Sequence, residues 1–303
     1  MASLKDDTVI QLQRISTICK LKVPVVVVWC MTYNHANYIK EALDGFVTQI
    51  ASFPFIVIVH DDASSDKTSE IVCEYGEKYS DIIYPIIETE NQYSKQDGSL
   101  DYIMKAAIKA TGAKYIAMCE GDDYWTDPLK LQKQVDFLEN HSDYSFCCAR
   151  FQKYNQVDNI FTKEYAFDYY LEGIDLEITK SIFFKIWVTQ PLTALFRSES
   201  YLKSIVALKK YKYSRDVHLF YHLLKQGKGC SLNQFVGIYR IHSKGVAGTR
   251  NALQCVRDSK NIYWELWWYN KNDWHLFFYL VYVLLLFVYR KYLSRDKDML
   301  STF

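Results

Sequence analysis

Short apolar runs alternate with helix-like segments over the first half of the chain, and this alternation constrains the fold most. The runs are rich in β-branched residues, which is typical of strands buried on both faces. Strands are predicted at residues 23–30, 55–60, 81–87 and 114–119, and helices at 37–49, 67–79, 100–110 and 129–138. Such alternation gives a mostly parallel sheet with right-handed crossovers. We therefore expect an α/β fold over about residues 22–150.

The pattern loosens after residue 143. Strands are predicted at residues 144–151, 192–197 and 235–241, and a helix at 215–225. The sequence shows no internal repeat and no low-complexity linker. We therefore expect this second region to pack on the sheet.

Three carboxylates stand together after the fourth predicted strand: Glu120, Asp122 and Asp123. In an open α/β sheet, ligands bind at the carboxyl ends of the strands. Carboxylates this close repel one another unless a cation neutralises them, and their hard oxygen atoms suit Mg²⁺ or Mn²⁺. We favour a metal or ligand site over the alternative, a solvated acidic turn. Asp127, which precedes a proline and a helix, is better explained as a helix cap.

The loop after the second predicted strand is also acidic, and in a doubly wound sheet it lines the same crevice. We expect Asp62 to accept a hydrogen bond from a nucleobase N–H or a ribose hydroxyl. Ser64, Ser65 and Asp66 are better explained as caps of the next helix, because short polar side chains favour helix N-termini.

The turn after the first predicted strand enters this crevice too. It contains neither G-x-G-x-x-G nor a Walker pattern, so it is not a dinucleotide fingerprint. Thr32, Tyr33 and Asn34 offer groups that can stack on a nucleobase and bond to it. The alternative is a polar turn without a ligand.

The charge balance of the chain limits the classes of partner that it can bind. A formal net charge of +1 over 303 residues, half of them hydrophobic, indicates a globular protein and argues against a nucleic-acid binder, which usually has a basic face. The eight cysteines include no C-x-x-C pair, which argues against a zinc site. Cys30 and Cys119 lie in apolar runs, as reduced thiols of cytosolic proteins do. Residues 1–20 lack a long apolar segment, so no secretory signal is expected.

The C-terminal region is strongly apolar and aromatic. Residues 274–289 form an uncharged run that would span about 24 Å as a helix, short of the ~30 Å hydrocarbon core of a bilayer. Trp and Tyr at the edges of the run suit a membrane interface. The flanking cations, which suit anionic head groups, are Arg290, Lys291, Arg295 and Lys297. We favour a monotopic contact over the alternative, a helix buried in a protein core or subunit interface.

Four segments carry a resemblance to a known family: residues 28–34, 61–66, 120–125 and 239–242. In this order and spacing they resemble family 2 glycosyltransferases, which are inverting, nucleotide-sugar-dependent enzymes with the GT-A fold. We expect an N-terminal extension, a GT-A catalytic domain that the resemblance divides into a nucleotide-sugar half and an acceptor half, and a helical membrane-associating segment that lies outside the resemblance. The corresponding ranges are 1–22, 23–245 (halves 23–140 and 141–245) and 246–303.

The resemblance also implies roles for the acidic residues. Asp62 matches the position that bonds uracil or a similar base. Asp122 and Asp123 match the Asp-x-Asp-type motif, with Asp122 assigned to the nucleotide sugar and Asp123 to the metal. Glu120 directly precedes this motif, so the assignment can slide by one or two positions.

The resemblance implies further roles for residues in the second half of the chain. Asp216 matches the general base of the family, near a helix start. Arg240 and His242 match positions near the diphosphate and the metal, so we count Arg240 as a donor-binding residue and His242 as a metal ligand. The implied cofactor is Mn²⁺ or Mg²⁺.

The implied function is transfer of a single sugar, from a UDP-linked donor, to a hydroxyl of a lipid-linked or surface-glycan acceptor at the cytoplasmic side of the cell membrane. The Gln-x-x-Arg-Trp motif of processive members is absent from the sequence, which favours single additions. A metal-dependent nucleotidyltransferase is one alternative, although residues 32–35 do not supply its Gly-rich phosphate loop. A non-catalytic membrane-bound partner of a glycan assembly complex is another.

Overall fold

The structure is a computed structural model, and it describes residues 6–95, 97–162, 173–186, 188–213, 216–243, 245, 252–289 and 291. The helices are α1 (Asp6–Leu21), α2 (Ile39–Val47), α3 (Thr68–Lys78), α4 (Gln92–Lys95), α5 (Ser99–Thr111), α6 (Lys130–Asn140), α7 (Lys180–Lys185), α8 (Ser198–Leu208), α9 (Asp216–Leu224), α10 (Ala252–Trp268) and α11 (Trp274–Val288). The strands are β1 (Val26–Thr32), β2 (Phe55–Asp61), β3 (Ile83–Ile87), β4 (Tyr115–Met118), β5 (Tyr124–Trp125), β6 (Tyr144–Asn155), β7 (Ile160–Thr162), β8 (Leu176–Ile178), β9 (Leu195–Arg197) and β10 (Lys228–Ile241).

These strands form one mixed sheet. Strands β3, β2, β1 and β4 lie side by side and run parallel, as the alternation of strands and helices predicts. Beyond β4 the order continues through β9, β6, β10 and β5. Strand β9 runs antiparallel to both its neighbours, whereas β10 runs parallel to β6. The expected α/β fold is therefore confirmed, with a parallel half extended by a mixed half.

The sheet separates two hydrophobic cores. Side chains of β1 point alternately to its two faces, as the two-residue period of a strand requires. Val27 and Trp29 belong to the core beneath α1, α5 and the C-terminal helices. Val28 and Cys30 belong to the core beneath α2, α3 and α6. Burial on both faces explains why the strands read as continuous apolar runs.

Helix α1 packs against the parallel half of the sheet. Ile15 and Cys19 are buried in the same core as Trp29. The Thr8 hydroxyl donates to the Glu88 carboxylate at 3.0 Å, which ties the helix to the segment after β3. The region expected as an N-terminal extension thus contains a helix that contributes to the core, while its residues 1–5 lie outside the described residues.

The two C-terminal helices pack on the core through one side each. Leu266 of α10 and Leu276 of α11 are fully buried. Asp273 accepts from the Leu276 amide at 3.3 Å and so caps α11, and it also binds the Lys180 ammonium at 2.5 Å and the Tyr221 hydroxyl at 3.0 Å.

Among the residues that the structure describes, no helix combines the length and apolar character that a membrane crossing requires. Three of the cations expected to face lipid head groups lie outside the described residues: Arg290, Arg295 and Lys297.

Candidate active site

The three loops identified in the sequence meet at the carboxyl edge of the parallel half-sheet. Strand β1 lies between β2 and β4, so the segments after these strands are neighbours. The Asp62 amide donates to the Thr32 carbonyl at 3.0 Å, and the Gly121 amide donates to the Met31 carbonyl at 2.9 Å. The expected convergence of both acidic loops on one crevice is therefore observed.

Gly121 allows the second acidic loop to approach β1 this closely. A Cβ atom at this position would lie 2.6 Å from the Thr32 hydroxyl oxygen and 2.9 Å from Cδ1 of Ile39. Both distances are shorter than any real Cβ contact. The close approach of the two aspartates that follow therefore depends on the absence of a side chain at residue 121.

Strand β10 holds the other side of the same loop. Its Arg240 amide donates to Oδ1 of Asp123 at 2.8 Å, and the Arg240 side chain donates through Nε to the Asp122 carbonyl at 2.9 Å. Burial, followed by the charges of Asp122 and Glu120, raises the pKa of the Asp123 carboxyl well above its usual range. Asp123 is thus a buried group that joins the loop to β10.

Asp122 instead faces two histidines. Its Oδ2 lies 3.0 Å from Nε2 of His242 and 4.0 Å from Nε2 of His35. Each of these three side chains offers one ligand atom, and the three atoms lie within 4.8 Å of one another. His242 follows β10 and His35 follows β1, so the cluster joins the two halves of the sheet.

The cluster fits a divalent cation, because it contains buried polar atoms without partners. Oδ1 of Asp122, Nδ1 of His35 and Nδ1 of His242 find no hydrogen-bond partner among the described residues. Buried polar atoms are normally paired, so these three are open to a water molecule or a ligand. Burial lowers the pKa of His35, against the raising effect of Asp122, and so favours the neutral imidazole that metals bind.

The geometry favours Asp122 over Asp123 as the metal contact, and the assignment of Asp123 made from the sequence stays a prediction. Asp123, expected to contact the metal, is only 4 % exposed and already accepts the Arg240 amide, whereas Asp122, expected to contact the nucleotide sugar, belongs to the cluster with His242. The choice between neighbouring aspartates depends on which one is turned toward β10, and that orientation is not encoded in the spacing of the motif.

The expected general base lies at the first residue of α9. The pKa of Glu120 is raised to about 8, first by desolvation within the protein and then by the charges of Asp122 and Asp216. The Glu120 residue is nevertheless exposed to solvent. Burial raises the pKa of the Tyr239 hydroxyl, and the charges of the three loop acids and of Asp216 raise it further. Asp216 is therefore an electrostatic neighbour of the acidic loop.

The three residues expected to contact a nucleobase differ in the exposure and the hydrogen bonding of their side chains. Tyr33 is exposed at the crevice, whereas the Thr32 hydroxyl is buried and finds no partner among the described residues. The Asn34 side chain accepts from the Ser65 amide at 2.8 Å, which joins the turn after β1 to the first acidic loop. Only Tyr33 presents a free face to a ligand in this conformation.

Asp62 is buried at the same edge, and its carboxylate caps α4. It accepts from the Gln92 amide at 2.6 Å and from the Tyr93 amide at 3.0 Å. Its role in base binding stays a prediction, and a ligand at its carboxylate would compete with two backbone donors.

Arg240 is largely enclosed. Its guanidinium contacts the Glu41 carboxylate and lies over the rings of Tyr38 and Tyr124 at 5.1 and 5.2 Å from their centroids. These contacts hold the Asp122 carbonyl in place, whereas the expected contact with the donor stays a prediction.

Sequence reasoning missed two members of the site, His35 and Glu41. His35 was visible as the residue directly after the polar turn 32–34, but a lone histidine carries little signal without its spatial partners. Glu41 lies on α2, and its ion pair spans 199 residues, so no local pattern could have identified it.

A parallel half-sheet with acidic loops at its carboxyl edge, extended by a mixed half, is the architecture of GT-A nucleotide-sugar glycosyltransferases. The profile described as Glycosyl transferase family 2 matches residues 28–204, more than half of the chain, and the chain belongs to this family. The resemblance stated from the four sequence segments is thereby confirmed.

Curated proteins are similar to this chain, and one of them is described as a glycosyltransferase. An uncharacterised glycosyltransferase of Methanocaldococcus jannaschii is 26 % identical over 283 residues, which cover 88 % of this chain and 89 % of the relative. An uncharacterised protein of Mycobacterium tuberculosis is 44 % identical over 117 residues, 39 % of this chain. The chain spans about a third of the length of that relative, 32 %.

Solved structures share the fold. S. aureus TarS in complex with UDP superimposes with a TM-score of 0.59 at 18 % identity, covering 89 % of this chain and 75 % of TarS. The mannosyltransferase PcManGT from Pyrobaculum calidifontis, in complex with GDP-Man and Mn²⁺, gives 0.59 at 16 % identity, covering 93 % of this chain and 77 % of PcManGT. At such identities the likeness defines the GT-A fold.

Proposed function

We propose that the chain is a metal-dependent, inverting glycosyltransferase that transfers one sugar from a nucleoside diphosphate sugar, UDP-linked by preference, to a hydroxyl of a lipid-linked or surface-glycan acceptor. The observation that carries the proposal is the contact of Asp122 with His242 at the crevice, with unpaired buried atoms on both side chains. The nucleotide sugars and Mn²⁺ bound by the structural neighbours support the same chemistry here.

The metal contacts in this proposal are Asp122 and His242, and Asp123 is a positioning residue. A divalent ion supplies positive charge that stabilises the leaving nucleoside diphosphate.

Asp216 is the proposed general base. Inversion requires the acceptor hydroxyl to attack the face of the sugar opposite the diphosphate, and a carboxylate within hydrogen-bond reach takes its proton. The electrostatic effects of Asp216 on Glu120 and Tyr239 support a place for it beside the acidic loop. We assign Tyr33 to stacking on the base, with Asp62, Thr32 and Asn34 shaping the pocket around it.

Replacing the base separates catalysis from binding. In Asp216→Asn the transfer rate falls by ~10²–10⁴-fold, the usual effect of removing a general base. Binding of UDP with Mn²⁺, measured as a rise in the unfolding temperature, stays as in the parent protein because a ligand of the folded state stabilises it regardless of turnover. The measurement uses a panel of nucleotide sugars and counts released nucleoside diphosphate.

Glu199→Gln is the matched control, since it neutralises an exposed carboxylate that pairs with Lys203 on α8. It leaves both activity and nucleotide binding unchanged. Normal turnover by Asp216→Asn would contradict its role as the base. If the parent protein bound nucleotide with Mn²⁺ but transferred no sugar from any donor, the non-catalytic partner would be the better proposal.

We also propose that the C-terminal helices rest on a membrane surface, on its cytoplasmic side. The face of α11 opposite the core is exposed and apolar, and its members recur at helical spacing: Trp274, Phe278, Tyr282 and Leu285. Lys271 stacks on Trp268 of α10 at 4.0 Å, and Lys260 lies over Phe287 at 4.9 Å. Aromatic rings beside ammonium groups suit the interface of an anionic bilayer.

A further inference from the structure

His35 is fixed in the site by its own backbone. Its amide donates to the Thr68 hydroxyl at 2.8 Å, and the next amide, of Ala36, donates to Oδ2 of Asp66 at 3.1 Å. The imidazole therefore projects from a turn held at two points. Its ring meets that of His242 edge to face, with centroids 6.3 Å apart.

The distances from Asp122 to the two histidines are compatible with one shared ion. Two ligands at about 2.1 Å from an octahedral ion lie about 3.0 Å apart when adjacent and about 4.2 Å apart when opposite. The distances from Asp122 are 3.0 Å to His242 and 4.0 Å to His35. The first value fits adjacent ligands, and the second lies close to the separation of opposite ligands.

We propose that His35 is a third protein ligand of the divalent ion and that it makes the site select Mn²⁺ over Mg²⁺. This inference rests on the proposed function, because it concerns the same ion. Mg²⁺ binds oxygen and is usually held by one or two carboxylates with substrate phosphates, whereas imidazole nitrogen suits transition metals. One carboxylate and two imidazoles therefore disfavour Mg²⁺.

Three protein ligands have a second consequence. A site that depends on phosphate oxygens binds its ion only together with the nucleotide. The cluster of His35, Asp122 and His242 is complete enough to bind Mn²⁺ without a nucleotide. Binding of the metal alone is thus a property that can be measured apart from catalysis.

The experiment titrates the full chain with MnCl₂ in the absence of nucleotide and follows the loss of the free Mn²⁺ signal by electron paramagnetic resonance. The parent protein binds one Mn²⁺, and His35→Asn weakens this binding by at least about tenfold. Competition with MgCl₂ gives the selectivity. We expect the Mn²⁺/Mg²⁺ affinity ratio to fall in His35→Asn and to fall further in His35→Asp, which offers oxygen instead of nitrogen.

A spectroscopic readout separates ligation from a structural effect. Spin-echo modulation from ¹⁴N reports two coordinated imidazoles in the parent protein and one in His35→Asn. His141→Asn is the matched control, because His141 is an exposed histidine at the end of α6 that stacks on Phe137. It leaves the affinity and the nitrogen signal unchanged.

Each contrary result has a distinct meaning. Unchanged affinity and two nitrogens in His35→Asn would overturn the role of His35, and so would a parent protein that binds Mn²⁺ only with UDP present. If Asp122→Asn and His242→Asn abolish binding while His35→Asn does not, the metal site of the proposed function stands without His35. If none of the three changes binding, the metal site itself is misplaced.

Discussion

Ala63 holds a backbone conformation that residues with a side chain rarely adopt. Its φ is +63°, in the left-handed region, between Asp62 and Ser64 of the first acidic loop. The Ser64 hydroxyl accepts the Asn34 amide at 2.8 Å and contacts the Asp61 carboxylate, so the loop is held from both sides. These bonds sustain a conformation that costs an alanine ~1–2 kcal/mol.

Ala63→Gly removes this steric cost. Glycine adopts the left-handed region freely, and its greater entropy in the unfolded chain offsets only part of the gain. We expect the free energy of unfolding to rise by about 1 kcal/mol, measured by urea denaturation. Ala106→Gly within α5 is the control and should lower stability by ~0.5–1 kcal/mol. A decrease for Ala63→Gly would show that the loop relaxes without strain.

The roles of neighbouring site residues show what a sequence can define at this scale. The carboxylates of residues 120–123 were predicted to lie at the end of a strand, and they do. Which aspartate faces the crevice depends on the Arg240 amide, 117 residues away, which binds Asp123 and leaves Asp122 to His242. Such a choice is made by tertiary contacts, so the local pattern could not supply it.

The elements with a strong local sequence signal were the ones that could be predicted. Strands β1 to β4 are apolar on both faces, and α2, α3, α5 and α6 each bury one face, so their signals stand out. Helix α1 escaped prediction because it buries few residues, Ile15 and Cys19 among them. The short strands β7 and β8 pair with β6 and β10, and a segment of three residues is too short to carry a strand pattern of its own.

Helix α11 presents two faces with different environments. Leu276, Leu280 and Val283 are buried against the core, whereas Phe278 and Leu285 are each 66 % exposed. In the double variant Phe278→Glu/Leu285→Glu, binding to phosphatidylglycerol vesicles falls more than tenfold, because burying each side chain contributes about 1.5–3 kcal/mol. The measurement is co-sedimentation with vesicles of phosphatidylglycerol and phosphatidylcholine in varied ratio.

Val206→Glu provides the control, since Val206 is an exposed apolar residue on α8, away from this face. It should leave vesicle binding intact. Binding that depends on phosphatidylglycerol and weakens with salt supports a membrane surface. If the parent protein instead ignores vesicles and the double variant halves its mass in solution, the face is a contact between two copies of the chain.

At the scale of the whole molecule, the Lys130 ammonium lies buried beside the core beneath α2, α3 and α6. Lys130 is fully buried, donates to the Gln134 carbonyl oxygen at 2.7 Å and lies 4.1 Å from the Trp125 ring centroid. Gln134 in turn donates to the Thr193 and Cys147 carbonyls, so the pair joins α6 to the mixed half of the sheet. Burial lowers the pKa of Lys130 from 10.5 to about 8.

This lowered pKa makes global stability depend on alkaline pH. Between pH 8 and about 10.5 the unfolded chain holds the Lys130 proton and the folded protein does not, so stability rises with pH across this window and is flat below it. At about 1.4 kcal/mol per pKa unit, the full contribution is about 3.5 kcal/mol at most. We expect urea unfolding at pH 7, 8, 9 and 10 to show this rise as a difference between the parent protein and Lys130→Met.

The comparison with Lys130→Met isolates this one group. Buried thiols and tyrosines whose raised pKa values do not depend on the Lys130 charge, such as Cys30 and Tyr201, act in the opposite direction, but they are present in both proteins and cancel in the difference. The Gln134 oxygen loses its donor in the variant, at a cost that does not vary with pH. Parallel stability curves for the two proteins would mean that Lys130 keeps its proton throughout, held by Gln134 and the Trp125 ring against burial.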